Sequence, residues 1–225
     1  MRTLGLIPAR AGSKGIPGKN KRMICGQPLI SWTIAAAQEA ESLDEVVVST
    51  DDEEIADIAM GLGINVPFMR PSELAQNDTP GIEPVLHALS IMEGFDSVVL
   101  LQPTSPLRTS TDIDAIVELA IAQSATSAVS VCEVKEPIHW NYTIQSEGNL
   151  KPLLDGEIFH RRQDANLIYT LNGALYYFEA PWFLASKRFI DNQTLPYIMP
   201  QERSIDIDSE FDWKIAEFLL RNWGA

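Results

Sequence analysis

Hydrophobic strands and amphipathic helices alternate through more than half of this chain. The buried-strand pattern begins at Thr3–Ile7 and returns at residues 45–50, 97–101 and 128–134. Between these strands, apolar residues recur at helical spacing. Parallel strands need a long crossover, usually a helix, and repeated strand–helix units place helices on both faces of the sheet. The pattern therefore predicts a three-layer α/β fold with a mostly parallel sheet, as a single domain over residues 1–225.

Shorter signals predict the ends of individual helices. Pro28 suits a first helical position, and Asp51–Asp52 leads into an amphipathic helix that ends near Gly61. Residues 82–93 also have helical spacing, whereas Asn65–Phe68 predicts a short strand that its proline confines to a sheet edge. Capping boxes, in which a hydroxyl and an acid three residues later close a helix start, are predicted at two places. They are Thr111 with Asp114, and Ser209 with Asp212.

The alternating pattern stops between residues 135 and 167. This segment contains Pro137, Pro152 and several glycines, and it has no sustained period. It is too long for a structureless loop inside a compact domain. We interpret it as a small protruding excursion of irregular β-structure, either a lid or an oligomerisation arm. Strand alternation returns at Leu175–Phe178.

A cationic, glycine-rich loop follows the first strand. The chain has a formal net charge of −14, yet its first acidic residue is Glu39, and six of its seventeen Lys and Arg residues precede that position. Glycines let backbone N–H groups curl around oxygens, while Arg and Lys side chains neutralise anionic charge. The loop predicts a site for the phosphates of a nucleoside triphosphate. The alternative is a solvated basic turn.

The loop differs from the commoner phosphate-binding motifs. A Walker A motif would need glycine at Ser13 and a hydroxyl residue at Asn20. A dinucleotide fingerprint cannot be fitted to Gly12, Gly15 and Gly18, because their spacing is three and three. The loop is therefore expected to bind phosphates through its own side chains as well as its backbone.

Composition excludes several classes of protein. The net charge of −14 argues against general nucleic-acid binding, which needs a broad basic face. Cys25 and Cys132 are far apart, so neither a disulfide scaffold nor a thiolate metal site is expected. No apolar run approaches the length of a signal sequence or a membrane helix. We therefore expect a cytoplasmic protein with no membrane or nucleic-acid partner.

Two acidic residues near the C-terminus alternate with apolar ones. On an extended segment Asp206 and Asp208 share one face, while Ile205 and Ile207 occupy the other. Adjacent carboxylates repel each other unless a cation lies between them, and Mg²⁺ is typically held by one or two carboxylates plus substrate phosphates. The pair predicts a magnesium site. The alternative is a pair of solvated acids on a half-exposed strand.

Polar residues also follow the central predicted strand. Gln102–Arg108 presents an amide, two hydroxyls and an arginine, with prolines that restrain the backbone. Because ligands bind beyond the carboxyl ends of parallel strands, we expect this segment to lie near Ser49–Asp52 and the basic loop. A rigid turn is the alternative. The histidines lack metal-ligand spacing, and no nucleophile arrangement with Ser/His/Asp or Cys/His is evident.

Two further polar segments bracket the return from the excursion. Arg161 and Arg162 suit carboxylates or phosphates, but a surface or subunit-contact pair is an alternative reading of them. Asn172–Gly173 precedes the returning strand and is equally compatible with a plain turn.

Taken together, these segments resemble the CMP-acylneuraminate synthetase family of cytidylyltransferases, including its legionaminate and other nonulosonate branch. The resemblance covers nearly the full length. It implies a Rossmann-like nucleotidyltransferase fold and transfer of CMP from CTP to a nine-carbon 2-keto sugar acid, with Mg²⁺ as cofactor and pyrophosphate as product. It also implies a homodimer in which residues 135–167 form an arm that helps build the partner's sugar site. The matching motifs are Leu6–Gly15, Pro17–Asn20, Ser49–Asp51, Arg70–Pro71, Gln102–Arg108, Arg162–Gln163, Asn172–Ala174 and Ile205–Asp208.

The resemblance assigns the basic loop to the nucleotide. Arg10, Lys14 and Lys19 would bind the triphosphate and act in catalysis by neutralising charge. Ser13 would join them on the phosphates, and Asn20 would contact the nucleotide.

The same resemblance assigns the remaining site residues. Arg70 and Thr79 lie in the family's base-recognition segment. Asp206 and Asp208 would bind the metal, with Asp208 also counted as catalytic. The sugar acid would be met by residues from several segments. These are Gln102, Ser105, Arg162, Asn172 and Tyr176.

The chain departs from the family pattern at one important position. The family usually has an arginine for the sugar carboxylate where this chain has Thr170, so Arg161 or Arg203 could hold that carboxylate instead. N-acetylneuraminate and legionaminate-like acids both remain candidate substrates. Relatives acting on an eight-carbon sugar carry an aspartate shortly after the central glutamine. This chain has Thr104 and Ser105 there, which favours the nine-carbon branch.

The implied reaction is an in-line attack of the sugar's anomeric hydroxyl on the α-phosphorus of CTP. Catalysis would rest mainly on positioning and charge neutralisation. No general base stands out in the sequence, although a carboxylate such as Asp208 is one candidate. The alternatives are a nucleotidyltransferase of the same fold with another sugar or nucleotide, and a regulator that binds without turnover.

Overall fold

The computed structural model describes residues 1–154 and 166–222, within which ten strands and six α-helices are found. The strands are β1 (Thr3–Pro8), β2 (Met23–Ile24), β3 (Gln27–Pro28), β4 (Glu45–Ser49), β5 (Ser97–Leu101), β6 (Ser127–Glu133), β7 (Tyr142–Ile144), β8 (Leu150–Pro152), β9 (Tyr169–Glu179) and β10 (Leu195–Ile198). The helices are α1 (Leu29–Glu39), α2 (Glu53–Gly61), α3 (Glu83–Ile91), α4 (Ser110–Ala122), α5 (Ala180–Ser186) and α6 (Glu210–Arg221). Short 3₁₀ helices lie at Lys19–Lys21, Ser72–Leu74, Ile138–Trp140 and Gln201–Arg203.

Six of the strands form one central sheet in the order β10-β6-β9-β5-β1-β4. β1 pairs in parallel with β4 and β5, and β6 pairs in parallel with β10. β9 runs antiparallel between β5 and β6. The predicted mostly parallel sheet is confirmed, with one reversed strand that periodicity did not reveal. β9 is also longer than the Leu175–Phe178 segment that alternation indicated.

Both faces of the sheet are covered, as the alternating pattern predicted. Ile7, Val48 and Val99 pack on one face against α1, α2 and α4. Leu6 and Val98 point to the opposite face, where α3 and α5 complete a second apolar cluster. Because neighbouring residues of a strand point to opposite faces, continuous apolar strands are what a sheet buried on both sides requires.

Two local predictions are modified by the structure. The capping box of α4 lies at Thr109 and Asp112, two residues before the predicted pair. Asp114 instead accepts a hydrogen bond from the Ser42 backbone N–H at 2.9 Å. The predicted edge strand forms only isolated parallel bridges beside β4, one of them at Asn65. The capping box of α6 at Ser209 and Asp212 is confirmed.

The predicted excursion begins as a small antiparallel hairpin of β7 and β8. All residues of both strands are exposed, and Ile144 and Leu150 expose 77% and 66% of their surface. Residues 155–165 of the predicted arm lie outside the described part of the chain. Within the described ranges, no helix is long and apolar enough to cross a membrane.

Candidate active site

A cleft of about 340 Å³ opens beyond the carboxyl ends of β1 and β5, within the size range of small-molecule sites. It brings together predicted residues that lie far apart in the chain. Those on its wall are Arg10, Ser13, Lys19, Asn20, Arg70, Thr79, Gln102 and Tyr176. The predicted clustering at the carboxyl edge of the sheet is therefore what the fold produces.

The basic loop is held in shape by its own polar groups and by the next strand. The Asn20 side chain is buried and donates from Nδ2 to the Arg10 carbonyl oxygen at 3.0 Å, which closes the loop on itself. Asp51, directly after β4, accepts the Ala11 backbone N–H at 2.9 Å. Arg10 donates to the carbonyl oxygen of Gln76, another cleft residue, at 2.8 Å and so links the loop to the chain after β4. These contacts pre-shape the loop before any ligand enters.

Lys19 connects the basic loop to the acidic pair. Its ammonium donates to the Ile207 carbonyl oxygen at 2.5 Å and to Asp208 Oδ1 at 3.0 Å. A side chain added to Gly15 would place its Cβ 2.1 Å from the Asp208 carbonyl oxygen, so the loop backbone packs directly against this segment. Lys14 is exposed on the same loop and does not line the cleft. Neither Asp206 nor Asp208 lines the cleft, and Lys19, which does line it, connects the acidic pair to it.

The acidic segment has the predicted alternation. Ile207 is fully buried in an apolar cluster against which Ile205 also packs, so Asp206 and Asp208 face away from it. Asp206 Oδ1 is buried and has no hydrogen-bond partner among the described residues. Burial raises the pKa of Asp206, and the negative charge of Asp208 adds to this, against the opposing effects of the Thr104 hydroxyl and the Lys19 ammonium.

This donor set fits a hard divalent cation that also binds phosphate. A buried carboxylate oxygen without a partner beside a second carboxylate is a site of unbalanced negative charge. No group of three or more His, Cys, Asp or Glu residues in the described ranges could hold a metal by itself. Two carboxylates plus phosphate oxygens are the usual arrangement for Mg²⁺ at nucleotide sites.

The segment after β5 is tied to the acidic segment by its backbone. Thr104 accepts the Ile207 backbone N–H at 2.9 Å. Gln102 lines the cleft, and its carbonyl oxygen accepts from Arg108 Nη1 at 3.2 Å. Ser105 is fully buried and does not line the cleft, so a direct contact of its side chain with substrate would need rearrangement of the loop.

The predicted base-recognition residues lie on the opposite wall of the cleft. Arg70 is buried and donates to the Ser49 carbonyl oxygen at 2.5 Å and to Ser49 Oγ at 3.1 Å. Burial, opposed by the negative charge of Asp51 and aided by the positive charge of Arg10, lowers the pKa of Arg70 to about 10. Thr79 donates to the Glu73 carbonyl oxygen at 3.1 Å. Arg70 thus fixes the end of β4 while its guanidinium borders the cleft.

Residues of β9 divide between the cleft and the interior. Tyr176 lines the cleft, and its ring lies 5.4 Å from that of Phe189. Burial and the charge of Asp206 raise the pKa of Tyr176. Asn172 points inward, where its amide accepts from Ser130 Oγ at 2.5 Å and donates to Ser204 Oγ at 2.9 Å. Its contacts hold β9 and the acidic segment together instead of lining the cleft.

Three residues considered for the sugar acid lie away from the cleft wall or outside the described ranges. Arg161 and Arg162 fall within residues 155–165, which the structure does not describe. Arg203 directs its guanidinium at Asp112, with bonds of 2.9 and 2.7 Å, so the geometry does not support it as the carboxylate ligand. Thr170 is exposed on β9.

The structure adds cleft residues that sequence reasoning missed. Three of them, Leu74, Gln76 and Asn77, lie between β4 and α3, and Phe189 lies in the loop after α5. The polar Gln76–Asn77 pair near Thr79 could have predicted a loop that contacts ligand, because binding residues are often found on surface loops. Nothing in the local sequence marks Phe189, because its place depends on packing against Phe178 and Phe183.

Comparison with known proteins identifies the family to which this chain belongs. A family model described as Cytidylyltransferase matches residues 4–212, which is nearly the whole chain. The chain belongs to the cytidylyltransferase family. It is therefore a nucleotidyltransferase, and its cleft is the active-site candidate of such an enzyme.

Individual relatives of this cytidylyltransferase agree with the family. It is 42% identical over 228 residues to a CMP-N,N′-diacetyllegionaminic acid synthase of Legionella pneumophila, covering 98% of this chain and 97% of that protein. It is 36% identical to an N-acylneuraminate cytidylyltransferase of Escherichia coli, with 96% of this chain matching 52% of that longer protein. A solved CMP:2-keto-3-deoxy-manno-octonic acid synthetase complexed with CTP shares the fold, with a TM-score of 0.75 at 15% identity and 99% coverage of both chains.

Proposed function

We propose that this cytidylyltransferase transfers CMP from CTP to the anomeric 2-hydroxyl of a nonulosonic acid and releases pyrophosphate. The observation that carries the proposal is that Lys19, on the cleft wall, joins the basic loop to a carboxylate pair in which Asp206 Oδ1 has no hydrogen-bond partner among the described residues. The near-full-length likeness to a diacetyllegionaminate enzyme supports a legionaminate-like sugar acid. N-acetylneuraminate is the second candidate sugar.

The proposed catalysis depends on charge neutralisation and positioning. Arg10 and Lys19, which both line the cleft, would bind the triphosphate, and the exposed Lys14 of the same loop would add a third positive charge. Mg²⁺, held by Asp206 and Asp208, would neutralise phosphate charge. Because Lys19 already bonds Asp208, binding of the nucleotide would redistribute that contact between the carboxylate and the phosphates.

The sugar acid would lie between Gln102 and Tyr176. Both line the cleft, and Gln102 Oε1 and Asp206 Oδ2 lie near the same point beside Gly173. The amide and the phenol hydroxyl on the cleft wall, with the Asp206 carboxylate near Gln102, can orient a polyhydroxylated substrate through hydrogen bonds. In this arrangement the acceptor hydroxyl would lie near Asp206, where bound Mg²⁺ would neutralise the phosphate that it attacks.

The proposal extends to a homodimer in the cytoplasm. An exposed hairpin that carries Ile144 and Leu150 is an apolar surface of the kind that associates with another chain. Cys25 and Cys132 are unpaired thiols, consistent with a reducing compartment. Arm exchange would bring each hairpin towards the partner's sugar site. Sedimentation of the purified protein as a monomer at micromolar concentration would contradict this part.

Pyrophosphate release tests the reaction directly. The protein would be mixed with Mg²⁺, each of the four nucleoside triphosphates, and a panel of diacetyllegionaminate, N-acetylneuraminate, pseudaminate and the eight-carbon acid Kdo. Turnover with CTP and one nonulosonate is expected, and Asp208→Ala should remove nearly all of it at saturating Mg²⁺. Turnover with a different nucleotide, or binding of CTP with no turnover across the panel, would refute the proposal.

A further inference from the structure

A buried carboxylate outside the cleft, that of Asp112, joins the segment after β5 to the acidic segment. Asp112 has no exposed surface. Its oxygens accept from Arg203 Nε at 2.9 Å, Arg203 Nη2 at 2.7 Å and the Tyr197 hydroxyl at 2.9 Å. They also accept the Thr109 backbone N–H at 3.0 Å and its hydroxyl at 2.9 Å. All of its acceptor capacity is committed to groups from three separate segments.

The arginine in this network stands at the start of the acidic segment. Arg203 closes a 3₁₀ helix and is followed by Ser204, which accepts from the buried Asn172 amide. Asp206 comes next along the same extended segment, three residues after Arg203. The guanidinium fork therefore anchors the end of the segment from which the metal-binding carboxylates project.

The carboxylate itself stands at the end of the segment after β5. Thr109, which caps α4 onto Asp112, directly follows Arg108. Arg108 is buried, and its Nη1 donates to the carbonyl oxygens of Gln102 and Ala174 at 3.2 and 2.8 Å. Burial lowers the pKa of Arg108 to about 9, while the negative charge of Asp112 opposes that shift. The Arg203 guanidinium therefore bonds Asp112 directly, whereas Arg108 bonds the backbone of its own segment and of β9 and senses Asp112 only through its charge.

We propose that Asp112 and Arg203 are positioning residues, which set Asp206 at its working distance from Gln102. The proposal rests on the proposed function, because it concerns the same metal-binding pair. A bidentate arginine–carboxylate pair fixes the relative orientation of the two side chains as well as the distance between them. A lysine at the same position would supply only a point charge. Neither Asp112 nor Arg203 lines the cleft, so they act through the segments they join.

Arg203→Lys keeps the charge and removes the fork. We expect kcat to fall about 10–100-fold and the Mg²⁺ concentration for half-maximal rate to rise by a similar factor, as when partners of metal ligands are changed. The KM for CTP at saturating Mg²⁺ should change less, by no more than about threefold, since neither Arg10 nor Lys19 bonds Arg203 or Asp112 directly. Binding of Mn²⁺ in the presence of a non-hydrolysable CTP analogue, followed by electron paramagnetic resonance, should weaken in parallel.

Arg221→Lys is the matched control. Arg221 also pairs with a carboxylate, Glu217 at 2.6 Å, but on the exposed surface of α6. It should leave kcat, Mn²⁺ binding and the thermal midpoint unchanged. A lowered thermal midpoint for Arg203→Lys with wild-type kcat and wild-type Mn²⁺ binding would show that the network only supports the fold, and would overturn the proposal.

Two further measurements keep the test decisive. If Arg203→Lys is insoluble, Tyr197→Phe removes one hydrogen bond to Asp112, and we expect a smaller loss of Mn²⁺ affinity in the same direction. Unchanged Mn²⁺ affinity in that variant would then count against positioning. If the wild-type protein releases no pyrophosphate with any substrate pair, the proposed function fails, while Mn²⁺ binding still reports on the positioning of the carboxylates.

Discussion

A methyl group added at Gly15 would collide with the segment that carries the proposed metal ligands. Its Cβ would lie 2.1 Å from the Asp208 carbonyl oxygen, whereas real Cβ atoms essentially never approach closer than 3.0 Å. The loop backbone or the Asp208 backbone must therefore move by at least 0.9 Å, the difference between those two distances. The obstacle is backbone, so no side-chain rotation can relieve it.

That displacement should lower the catalytic rate more than it lowers the stability of the fold. A misplacement of about 1 Å between reacting groups costs about 100-fold in rate, or about 2.7 kcal/mol of transition-state stabilisation. Gly15 is itself exposed and buries no side chain, so we expect the thermal midpoint of Gly15→Ala to change less than the rate does. The assay is kcat/KM for pyrophosphate release with CTP, Mg²⁺ and the preferred sugar acid.

Gly61→Ala is the matched control, because a Cβ there meets nothing within 4 Å. It lies at the end of α2, where alanine favours the helix by up to about 1 kcal/mol. Activity of this variant should equal that of the wild type. If Gly15→Ala retains kcat/KM within twofold of the wild type, the close approach of loop and aspartate segment is not part of the catalytic geometry.

Three further predictions follow from the charges around the site. The turnover of Asp206→Asn should be at least about 100-fold below that of the wild type. Without Mg²⁺, however, its thermal midpoint should equal or exceed that of the wild type. Burial raises the pKa of Asp206, so its charged form costs stability at neutral pH, and a clear destabilisation would refute this. Lys19→Ala should weaken use of CTP by about 10–1000-fold, or about 1.4–4 kcal/mol, and unchanged steady-state kinetics would remove Lys19 from the site. Burial tends to raise the pKa of Asp112, but hydrogen bonds led by that of Arg203 hold it below its usual value. The stability from Asp112 is therefore present above about pH 4 and lost as the pH falls through the lowered pKa. Asp112→Asn should cost about 3–5 kcal/mol at neutral pH and flatten the loss of thermal midpoint in acid, and an unaltered acid profile would contradict the role given to this carboxylate.

Local patterns were sufficient for much of the fold and for part of the site. Strands β1, β4, β5 and β6 and the alternation around Ile205 and Ile207 follow from the side-chain period of strands, whereas β2, β3, β10 and α5 were not predicted. The cap of α4 was misplaced by two residues, because Thr109 and Thr111 offer equivalent hydroxyls and only packing selects between them. The predicted edge strand weakened to bridges at Asn65 and Met69 for a similar reason, since Pro67 lacks the donor that a full ladder needs.

The side chains of the site were harder to assign than its segments. Asn172 and Ser105 lie on the predicted segments, but both are buried among other protein groups and do not line the cleft. Their residue types suit ligand contacts and internal hydrogen bonds equally well. Which role each takes depends on the direction its backbone faces after packing, and a sequence motif does not contain that direction.

The sequence by itself determined the α/β layering, the basic loop after β1 and the alternation of the acidic segment, because each depends on neighbours a few residues away. Only the tertiary structure decided the contacts between distant segments. Lys19 meets Asp208 across 189 positions of the chain, and Arg203 reaches Asp112 across 91. β9 pairs antiparallel with both β5 and β6, although its residue pattern does not distinguish parallel from antiparallel pairing. These choices are made when the layers pack, since burying both faces of the sheet selects which segment ends come together.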